Sequence, residues 1–364
     1  MKKKLLFAAY SLDIGGIETA LVTLINELAK SEKYDITLVL EKKQGIFLDE
    51  LDKRIEIIEY SPSYNKVKIF AKVLNVINRI KFIMKYKNKF DCSISYATYS
   101  LPSSFIARTA SSNSILWVHN EYMLVCDNDE EKYEKFFKSI KADKFKKIVF
   151  VSNSTRINFE RAIGNTMDNK RVTINNLVDY RQIVEKSKEE VTDFVKDDKT
   201  TFLFVGRLTE HDKRISRLIR AGELLRDDNV DFRVLIVGDG ADSSKYKDMV
   251  KVKNLDDKFV FLGKKKNPYP YFKQSDCLVL TSEHEGFAIV FVEAMILRLP
   301  IITTHVADSK EMISNKYGVV VDKDEYAVYK AMKEFITNKY EYKQIFNAEG
   351  YNENILKKIY ELIG

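Results

Sequence analysis

Two glutamates stand eight positions apart in one segment of the chain, with Gly286, Phe287 and Ala288 directly after the first. If a helix begins between Glu285 and Glu293, eight residues at a rise of about 1.5 Å separate the carboxylates by roughly 12 Å along its axis. That separation matches the reach from a sugar ring across a pyrophosphate to a ribose. The free N–H groups and positive dipole end of a helix start suit the pyrophosphate. The spacing therefore predicts one carboxylate at a sugar and the other at a ribose diol, where its hydrogen bonds are charge-assisted.

The residues around the second glutamate are apolar: Val290, Phe291, Val292, Ala294 and Met295. A carboxylate buried among such side chains needs a polar partner. This pattern favours a ligand-binding role for Glu293. A helix cap followed by a solvated glutamate is the alternative explanation of the pair.

A second group of candidate residues follows the apolar run 202–205. Gly206 lets the chain turn closely past a ligand. Arg207 and Lys213 then supply two cations at the end of a predicted strand, where a leaving diphosphate would develop charge. Fixed cations can stabilise that charge as a divalent metal does elsewhere. An ordinary solvated basic loop is the alternative.

Two further candidates come from the first half of the chain. Gly16 lies in a Gly-Gly pair after the first predicted strand and permits close approach of the backbone to a phosphate or sugar. His119 follows the apolar run 115–118, at a strand end where ligands commonly bind. A structural histidine is the alternative there.

Other motifs argue against dinucleotides and metals. The turn at Gly238 and Gly240 lacks the third glycine of a dinucleotide fingerprint, because Ser243 stands in its place. Asp127 and Asp129 have the spacing of a metal-binding Asp-x-Asp, but their polar, acidic surroundings favour a solvated loop. We therefore expect no metal in the chemical step and no other cofactor.

Short apolar or β-branched runs alternate with helical patterns along the whole chain, which predicts an α/β fold with parallel sheets covered on both faces. The runs form two series, separated by the polar stretch 184–200. We expect two doubly wound, Rossmann-like domains facing across a cleft, 1–185 and 186–344, with ligands at the carboxyl ends of the strands.

Composition agrees with this organisation. The chain has 364 residues, 45% apolar and 31% charged, which suits two soluble globular domains. Cys92, Cys126 and Cys277 form no CxxC pair, which favours a reducing compartment. The apolar stretch near the N-terminus is too short for a signal peptide, and no run approaches the ~20 residues that span a membrane. We expect a cytoplasmic protein.

The segment 66–89 contains eight lysines or arginines and no acidic residue, interleaved with apolar residues. This pattern predicts a basic amphipathic helix. The helix either belongs to the core with its lysines in solvent, or forms a surface that lies on anionic lipid or receives an anionic acceptor. Beyond the net charge of +7 nothing favours nucleic-acid binding, so we expect no nucleic-acid partner.

Together these segments resemble the large family of retaining glycosyltransferases with the two-domain GT-B fold, often called family 4. Three motifs carry the resemblance: Glu-x7-Glu at 285–293 with Gly-Phe after its first residue, Val-Gly-Arg-Leu at 205–208, and the Gly-Gly-Ile-Glu turn at 15–18. The resemblance covers most of the chain. It implies a nucleotide-sugar-binding second domain, an acceptor-side first domain, and a final helix (345–364) that packs back on the first domain.

The resemblance also implies roles at the reaction centre. Glu285 would contact the donor sugar and Glu293 would bind the ribose. From the first domain, His119 would orient the sugar and Gly16 would approach the diphosphate.

In the second domain, the resemblance assigns the diphosphate to Arg207 and Lys213. The gap between these residues is one position longer than is usual for the family, so Arg214 is an alternative to Lys213. Backbone groups would contact sugar hydroxyls and phosphate from three residues, Gly286, Phe287 and Ala288.

The activity implied by the resemblance is retaining, metal-independent transfer of a hexose-type sugar from a nucleotide-sugar, with UDP as the usual nucleotide of the family. The acceptor would be a lipid-linked or growing cell-surface polysaccharide such as a capsule. With the basic segment 66–89, this suggests a peripheral position on the inner face of the cell membrane. A catalytically idle relative that acts as a partner or binding subunit is the alternative, and loss of the phosphate-binding cations or of a glutamate would indicate it.

Overall fold

The computed structural model describes most of the chain, in the ranges 2–13, 15–62, 68–164, 166–338 and 344–364. These residues form two compact units: one contains 1–177 together with 353–364, and the other contains 178–352. Lys66 and Val67, the first residues of the predicted basic helix, lie outside the described residues.

The first unit is built around a parallel sheet, which has seven strands in the described ranges, in the order β3-β2-β1-β4-β5-β6-β7. The strands are β1 (Lys3–Ala9), β2 (Tyr34–Leu40), β3 (Glu56–Glu59), β4 (Cys92–Ser95), β5 (Ser114–Val118), β6 (Lys147–Phe150) and β7 (Arg171–Thr173). The helices are α1 (Gly16–Lys30), α2 (Lys68–Tyr86), α3 (Leu101–Ala110), α4 (Tyr122–Val125), α5 (Glu130–Ser139) and α6 (Asn153–Ile163). Parallel neighbours need crossover connections, and helices in these connections cover the sheet; this explains why β4 and β5 are buried from end to end.

The second unit contains a parallel sheet of six described strands in the order β10-β9-β8-β11-β12-β13. The helix α7 (Tyr180–Lys186) precedes the strands β8 (Thr201–Val205), β9 (Arg233–Val237), β10 (Phe259–Gly263), β11 (Cys277–Leu280), β12 (Ile301–Thr304) and β13 (Gly318–Val321). The other helices of this unit are α8 (Ile215–Asp227), α9 (Ser243–Val252), α10 (Tyr269–Lys273), α11 (Ile289–Ile296), α12 (Ser309–Ile313) and α13 (Glu325–Asn338). The last helix, α14 (Ala348–Ile363), begins in the second unit and belongs to the first from residue 353. The predicted α/β class with two doubly wound parallel sheets is confirmed.

In each sheet, the later strands are placed on both sides of the first strand. β1 lies between β2 and β4, and β8 lies between β9 and β11. Such a topological switch point leaves a crevice at the carboxyl ends of the two diverging strands, because the connections on either side run to opposite faces. The turns after β8 and β11 are therefore the places in the second unit where a ligand is expected.

The two units divide between Leu177 and Val178, whereas the predicted division lay between residues 185 and 186. The difference has a local cause in the packing of α7. Val178 and Ile183 are buried in the apolar core of the second unit, and α7 packs against α10 and α11. The polar composition of 184–200 marks the loop that follows this helix rather than the point where contacts change.

The last helix, α14, contributes to the first unit from residue 353 onward. Ile355, Ile359 and Ile363 are buried there, and the ring of Tyr360 stacks on Tyr34 with 6.4 Å between centroids. The spacing of the three isoleucines places them on one face of the helix, which is the pattern of a helix packed along one side.

No described helix is both long enough and apolar enough to cross a membrane.

Two glycines bring the ends of β8 and β9 into contact. Gly206 N–H donates to Val237 O over 3.0 Å, and Leu208 N–H donates to Asp239 O over 3.0 Å. A Cβ at Gly238, whose φ is +146°, would lie 1.9 Å from Gly206 O, and a Cβ at Gly240 would lie 2.4 Å from Leu208 O. The glycines of the incomplete dinucleotide fingerprint therefore allow the turn after β9 to pack closely against the turn after β8.

Replacing Gly238 with alanine should destabilise the protein far more than the same replacement at Gly164. Both glycines have positive φ, so alanine costs about 1–3 kcal/mol of backbone strain at either position. At Gly164, by contrast, no described heavy atom lies within 4 Å of the new methyl, whereas the Gly238 methyl would clash with Gly206 O. We expect a clearly lower thermal unfolding midpoint for Gly238→Ala, measured by circular dichroism. Equal midpoints for the two variants would contradict this account of the turn.

Candidate active site

The candidate site of the second unit is built from the turns after β8 and β11. Lys213 lies in the first turn and Glu285 in the second, and their side chains form an ion pair. The hydroxyl of Ser282 donates to the same carboxylate oxygen of Glu285 over 2.7 Å. The side chains of Glu285 and Lys213 are only 11% and 19% exposed, so the ion pair is largely shielded from water. Two residues that are 72 positions apart in the chain are thus brought together, and each orients the other.

The neighbouring Arg214 is directed elsewhere. Its guanidinium lies 3.7 Å from a carboxylate oxygen of Glu210 and 3.6 Å from one of Glu283. Its backbone is left-handed, with φ of +49°, and it precedes the first residue of α8. Of the two alternatives left by the sequence, Lys213 is the cation beside Glu285.

A buried arginine holds the turn that carries Glu285. Arg217, on α8, donates to Thr281 O over 2.8 Å and to Glu283 over 2.7 Å. Burial alone would raise the pKa of Glu283, but the hydrogen bond from Arg217 and the charge of Lys323 outweigh it, so this pKa lies below its usual range. The sequence analysis missed Arg217, although a charged residue inside the apolar stretch of α8 was a signal for a buried ionic contact.

Direct hydrogen bonds also join the two turns. Glu283 N–H donates to Asp212 O over 2.7 Å, and the Thr281 hydroxyl donates to Arg214 O over 3.1 Å. Because both bonds end on backbone carbonyl groups of the first turn, the distance between the turns does not depend on the Lys213–Glu285 pair alone.

Helix α11 begins at Ile289, between the two glutamates as the spacing predicted. Its first cap residue, Ala288, makes no side-chain capping hydrogen bond, and its first turn holds no acidic residue. The N–H groups at the start of a helix have no intrahelical acceptor, so this start is suited to an anion. Gly286 and Phe287 lead directly into it from Glu285.

Glu293 is buried within α11, with 8% of its surface exposed. This excludes the alternative of a solvated glutamate. The hydroxyl of Tyr269 donates to its carboxylate over 3.1 Å. Burial raises the pKa of Glu293 to about 7, and the Tyr269 hydrogen bond offsets only part of that effect. Tyr269, on α10, was not identified from the sequence, where nothing linked it to Glu293.

Arg207 has an exposed side chain after β8. Within the described ranges, its guanidinium takes part in no hydrogen bond or ion pair, which leaves all five donors available to a ligand.

His119 is buried in the first unit, at the carboxyl end of β5, with 5% of its surface exposed. Its ring lies 4.2 Å from that of Tyr96 and is nearly parallel to that of Trp117. Burial lowers the pKa of His119 to about 3, so the imidazole is neutral at physiological pH. Neither ring nitrogen has a hydrogen-bond partner among the described residues. Buried nitrogens of this kind are commonly satisfied by a ligand or water.

Gly16 is the first residue of α1 and is exposed at the carboxyl end of β1. No described heavy atom lies within 4 Å of the position that its Cβ would occupy. This open space leaves room for close approach of a ligand to the backbone.

The Asp-x-Asp segment has structural partners. Asp129 caps α5 by accepting from the N–H groups of Glu131 and Lys132. Asp127 forms an ion pair with Lys132 over 2.8 Å. Within the described part of the chain, no three His, Cys, Asp or Glu side chains cluster closely enough to hold a metal ion.

Comparison with known proteins assigns the second unit to a family. The family model described as glycosyl transferases group 1 matches residues 186–353. This range contains both glutamates, the Lys213–Glu285 pair and the turn that carries Arg207.

Two curated relatives are similar over different shares of the chain. One is the N-acetylgalactosamine-N,N'-diacetylbacillosaminyl-diphospho-undecaprenol 4-alpha-N-acetylgalactosaminyltransferase of Campylobacter jejuni, 26% identical over 88% of this chain and 87% of that protein. The other is the capsular polysaccharide biosynthesis glycosyltransferase CapM of Staphylococcus aureus, 25% identical over 48% of this chain and 44% of that protein.

Among solved structures, Anabaena HepE in complex with UDP and glucose has a similar fold. Its TM-score is 0.75 at 17% identity, with 98% of this chain and 99% of that chain covered. The same protein has been solved with UDP-glucose, at a TM-score of 0.75 and 16% identity. The two doubly wound sheets are thus those of the GT-B fold, and residues 186–353 belong to the glycosyl transferases group 1 family.

Proposed function

We propose that this glycosyltransferase is a retaining, metal-independent hexosyltransferase that uses a UDP-sugar and acts on a glycan or lipid-linked acceptor. The observation that carries the proposal is the shielded Lys213–Glu285 pair at the switch point of the second sheet, next to the uncapped start of α11. The cation and the helix start suit the diphosphate of a nucleotide-sugar donor, and the carboxylate beside them suits its sugar.

The diphosphate is bound by Arg207, Lys213 and the N–H groups that begin at Gly286. The guanidinium of Arg207, which has no partner among the residues that the structure describes, can form a bidentate contact with it. Positive charge held at this position stabilises the departing diphosphate as the bond to the sugar breaks, and no metal ion is needed for that task. UDP as the nucleotide is supported by the UDP complexes of HepE, which shares the fold.

Glu285 contacts the donor sugar at the reaction centre. The bond between the sugar C1 and the diphosphate oxygen breaks, and the acceptor oxygen bonds to C1 on the same face. Because the acceptor attacks the face from which the diphosphate departs, the configuration at C1 is retained. The proton of the acceptor hydroxyl passes to the departing diphosphate oxygen. The carboxylate of Glu285 stabilises the positive charge that develops on the sugar ring.

Glu293 binds the ribose diol through charge-assisted hydrogen bonds. The backbone groups of Phe287 and Ala288 contact the sugar hydroxyls and phosphate. In the first unit, His119 orients the sugar through its neutral imidazole, and Gly16 is the point of close approach to the diphosphate.

The acceptor is a lipid-linked or growing polysaccharide of the cell surface, and the protein works on the cytoplasmic face of the membrane. Two relatives support this acceptor class. The Campylobacter jejuni relative is named for a diphospho-undecaprenol-linked substrate, and the Staphylococcus aureus relative for capsular polysaccharide.

UDP should bind without a divalent metal, and Arg207→Ala should weaken that binding by at least tenfold. An arginine–phosphate contact is a charge-assisted hydrogen bond worth about 1.5–3 kcal/mol, which corresponds to this factor. Calorimetric titration with EDTA present is the measurement. Arg181→Ala is the matched control, because Arg181 is an exposed arginine on α7 in the same unit. If the wild type binds no nucleotide under these conditions, the proposal fails and the idle-relative alternative takes its place.

Glu285→Gln should strongly reduce turnover without weakening the binding of UDP. The variant keeps the shape of the side chain but releases Lys213 from its ion pair, so UDP affinity should stay equal or become tighter. Turnover should fall by at least about 100-fold, because a charge that acts on the transition state is lost. The rate of UDP release is measured with a panel of UDP-sugars, and the donor used by the wild type is then taken for the variant. Normal turnover in this variant would remove Glu285 from the reaction centre.

UDP affinity should rise about tenfold between pH 6 and pH 8 through Glu293. Its carboxyl has a pKa of about 7, so it is largely protonated at pH 6 and must ionise to accept from the ribose diol. The phosphate of UDP also titrates in this range. Glu293→Gln is therefore the control: it should bind more weakly and retain only the pH dependence of the ligand. The same pH profile in both proteins would contradict the assignment.

The Glu293→Gln variant should be more stable than the wild type at pH 8 but not at pH 5. The pKa of Glu293 is about 7 in the folded protein against 4.5 in the unfolded chain, so the folded state binds more protons between these values. The free energy of unfolding therefore falls as pH rises through this window, by about 3 kcal/mol for this group. Glu293→Gln removes that loss, which thermal unfolding midpoints at the two pH values will show. An unchanged midpoint at pH 8 would contradict this prediction, because it would show that other interactions offset the cost of burying the ionised carboxylate.

A further inference from the structure

Helix α2 turns its apolar residues away from the protein. Large apolar side chains along it are exposed: Ile69, Phe70, Val73, Leu74, Val76, Ile77, Ile80, Ile83 and Met84. A helix that belonged to the core would bury these residues and expose its lysines. The structure therefore rules out that explanation of the basic segment.

The side of α2 that faces the protein is a single narrow stripe. Its less exposed residues are spaced four, three, four and four positions apart: Ala71, Asn75, Asn78, Phe82 and Tyr86. Of these, Phe82 is buried, in the cluster with Leu6 and Val39 of the sheet. An ordinary surface helix buries its apolar residues and exposes its polar ones. Helix α2 shows the reverse, with two asparagines in the protein-facing stripe and nine apolar residues outside it.

The exposed apolar residues form one continuous face. At about 100° per residue, eight of them lie within an arc of roughly 140° that is centred opposite the protein-facing stripe. In order around the helix these are Ile83, Val76, Ile69, Ile80, Val73, Met84, Ile77 and Phe70.

Basic residues border this face on both sides. By the same helical geometry, Arg79 and Lys72 lie between the protein-facing stripe and one edge of the apolar arc, and Lys81 and Lys85 lie along the other edge. All four side chains are exposed. Long basic side chains in this position can keep their charges at the level of lipid headgroups while the face between them enters the acyl region.

Charge selects a membrane over a second copy of this chain as the occupant. Residues 66–89 contain no acidic side chain, so packing two α2 helices face to face would bring four basic borders together without compensation. An anionic lipid surface offers both a hydrocarbon layer for the apolar face and negative charge for its borders.

We propose that α2 lies in the plane of an anionic membrane, with its outward apolar face at the boundary between headgroups and acyl chains. The first unit is thereby held at the surface where a lipid-linked acceptor would be found. The location of the acceptor rests on the proposed function, but the binding of lipid does not.

Sedimentation of the full-length protein with phosphatidylcholine vesicles, with and without phosphatidylglycerol, tests this. We expect the protein to sediment with the phosphatidylglycerol vesicles, to be released as salt is raised, and to stay in solution with phosphatidylcholine alone. Equal sedimentation with both vesicle types would overturn the requirement for anionic lipid, and no sedimentation with either would overturn the proposal.

The charge of the borders is tested with Lys81→Gln/Lys85→Gln. Each charge near an anionic surface contributes about fivefold to binding, so the pair should weaken it roughly 25-fold. The matched control is Lys53→Gln/Lys146→Gln, two exposed lysines elsewhere in the first unit. Equal losses in the two variants would show that overall charge, and not α2, drives the binding.

The apolar face is tested with Val73→Gln/Ile80→Gln, which replaces side chains that are 53% and 51% exposed. Loss of two inserted apolar side chains should weaken binding by at least about tenfold. The control is Val125→Gln/Ile157→Gln, at 63% and 52% exposure in the same unit, and it should bind as the wild type does. An unchanged affinity in the α2 variant would exclude insertion.

Two further measurements on the same preparations separate the remaining outcomes. Sedimentation equilibrium reports the oligomeric state: a dimer that the Val73→Gln/Ile80→Gln variant dissociates would overturn the proposal in favour of a second copy. Calorimetry with UDP reports the donor site. Protein that binds UDP but no vesicles contradicts the membrane surface alone, whereas protein that binds vesicles but no UDP contradicts the proposed function alone.

Discussion

The ammonium of Lys213 and the carboxylate of Glu285 join the turns that follow β8 and β11, and together with the hydrogen bonds between the same turns this contact shapes the candidate site of the second unit. Both groups are largely shielded from water, so separating them would leave two poorly solvated charges at considerable cost. Arg217 stabilises the turn that carries Glu285 by donating to Thr281 O and to the carboxylate of Glu283. The start of α11 and the backbone of the turn that carries Arg207 therefore have defined positions relative to one carboxylate.

Glu293 illustrates the opposite relation between function and stability. Burial raises the pKa of its carboxyl to about 7, and among the described residues the hydrogen bond from the neutral Tyr269 hydroxyl offsets only part of that effect. A side chain chosen for stability would be apolar at this place in α11, where Val292 and Ala294 are fully buried. A carboxylate that is costly in the free protein becomes useful when a ligand supplies the hydrogen bonds that the protein does not.

Helix α2 also carries features that are costly in the free protein. Its exposed apolar face is unfavourable in water, and its basic borders are unfavourable next to another copy of themselves. Both features become favourable at an anionic lipid surface. If the acceptor is carried by lipid, the enzyme then meets its acceptor by diffusion in two dimensions while the donor arrives from solution.

The α/β class, the two doubly wound sheets and the helix start between Glu285 and Glu293 could be predicted before the structure was known, because they depend on local periodicity and on residues close together in the chain. The sequence also singled out the basic segment, but not the direction in which its apolar residues face. Three features were decided by tertiary structure: the pairing of Lys213 with Glu285, the support from Arg217 and Tyr269, and the outward face of α2. The first two depend on contacts between residues far apart in the chain, and the third depends on which stripe of a helix meets the core. Local spacing in the sequence does not specify such contacts.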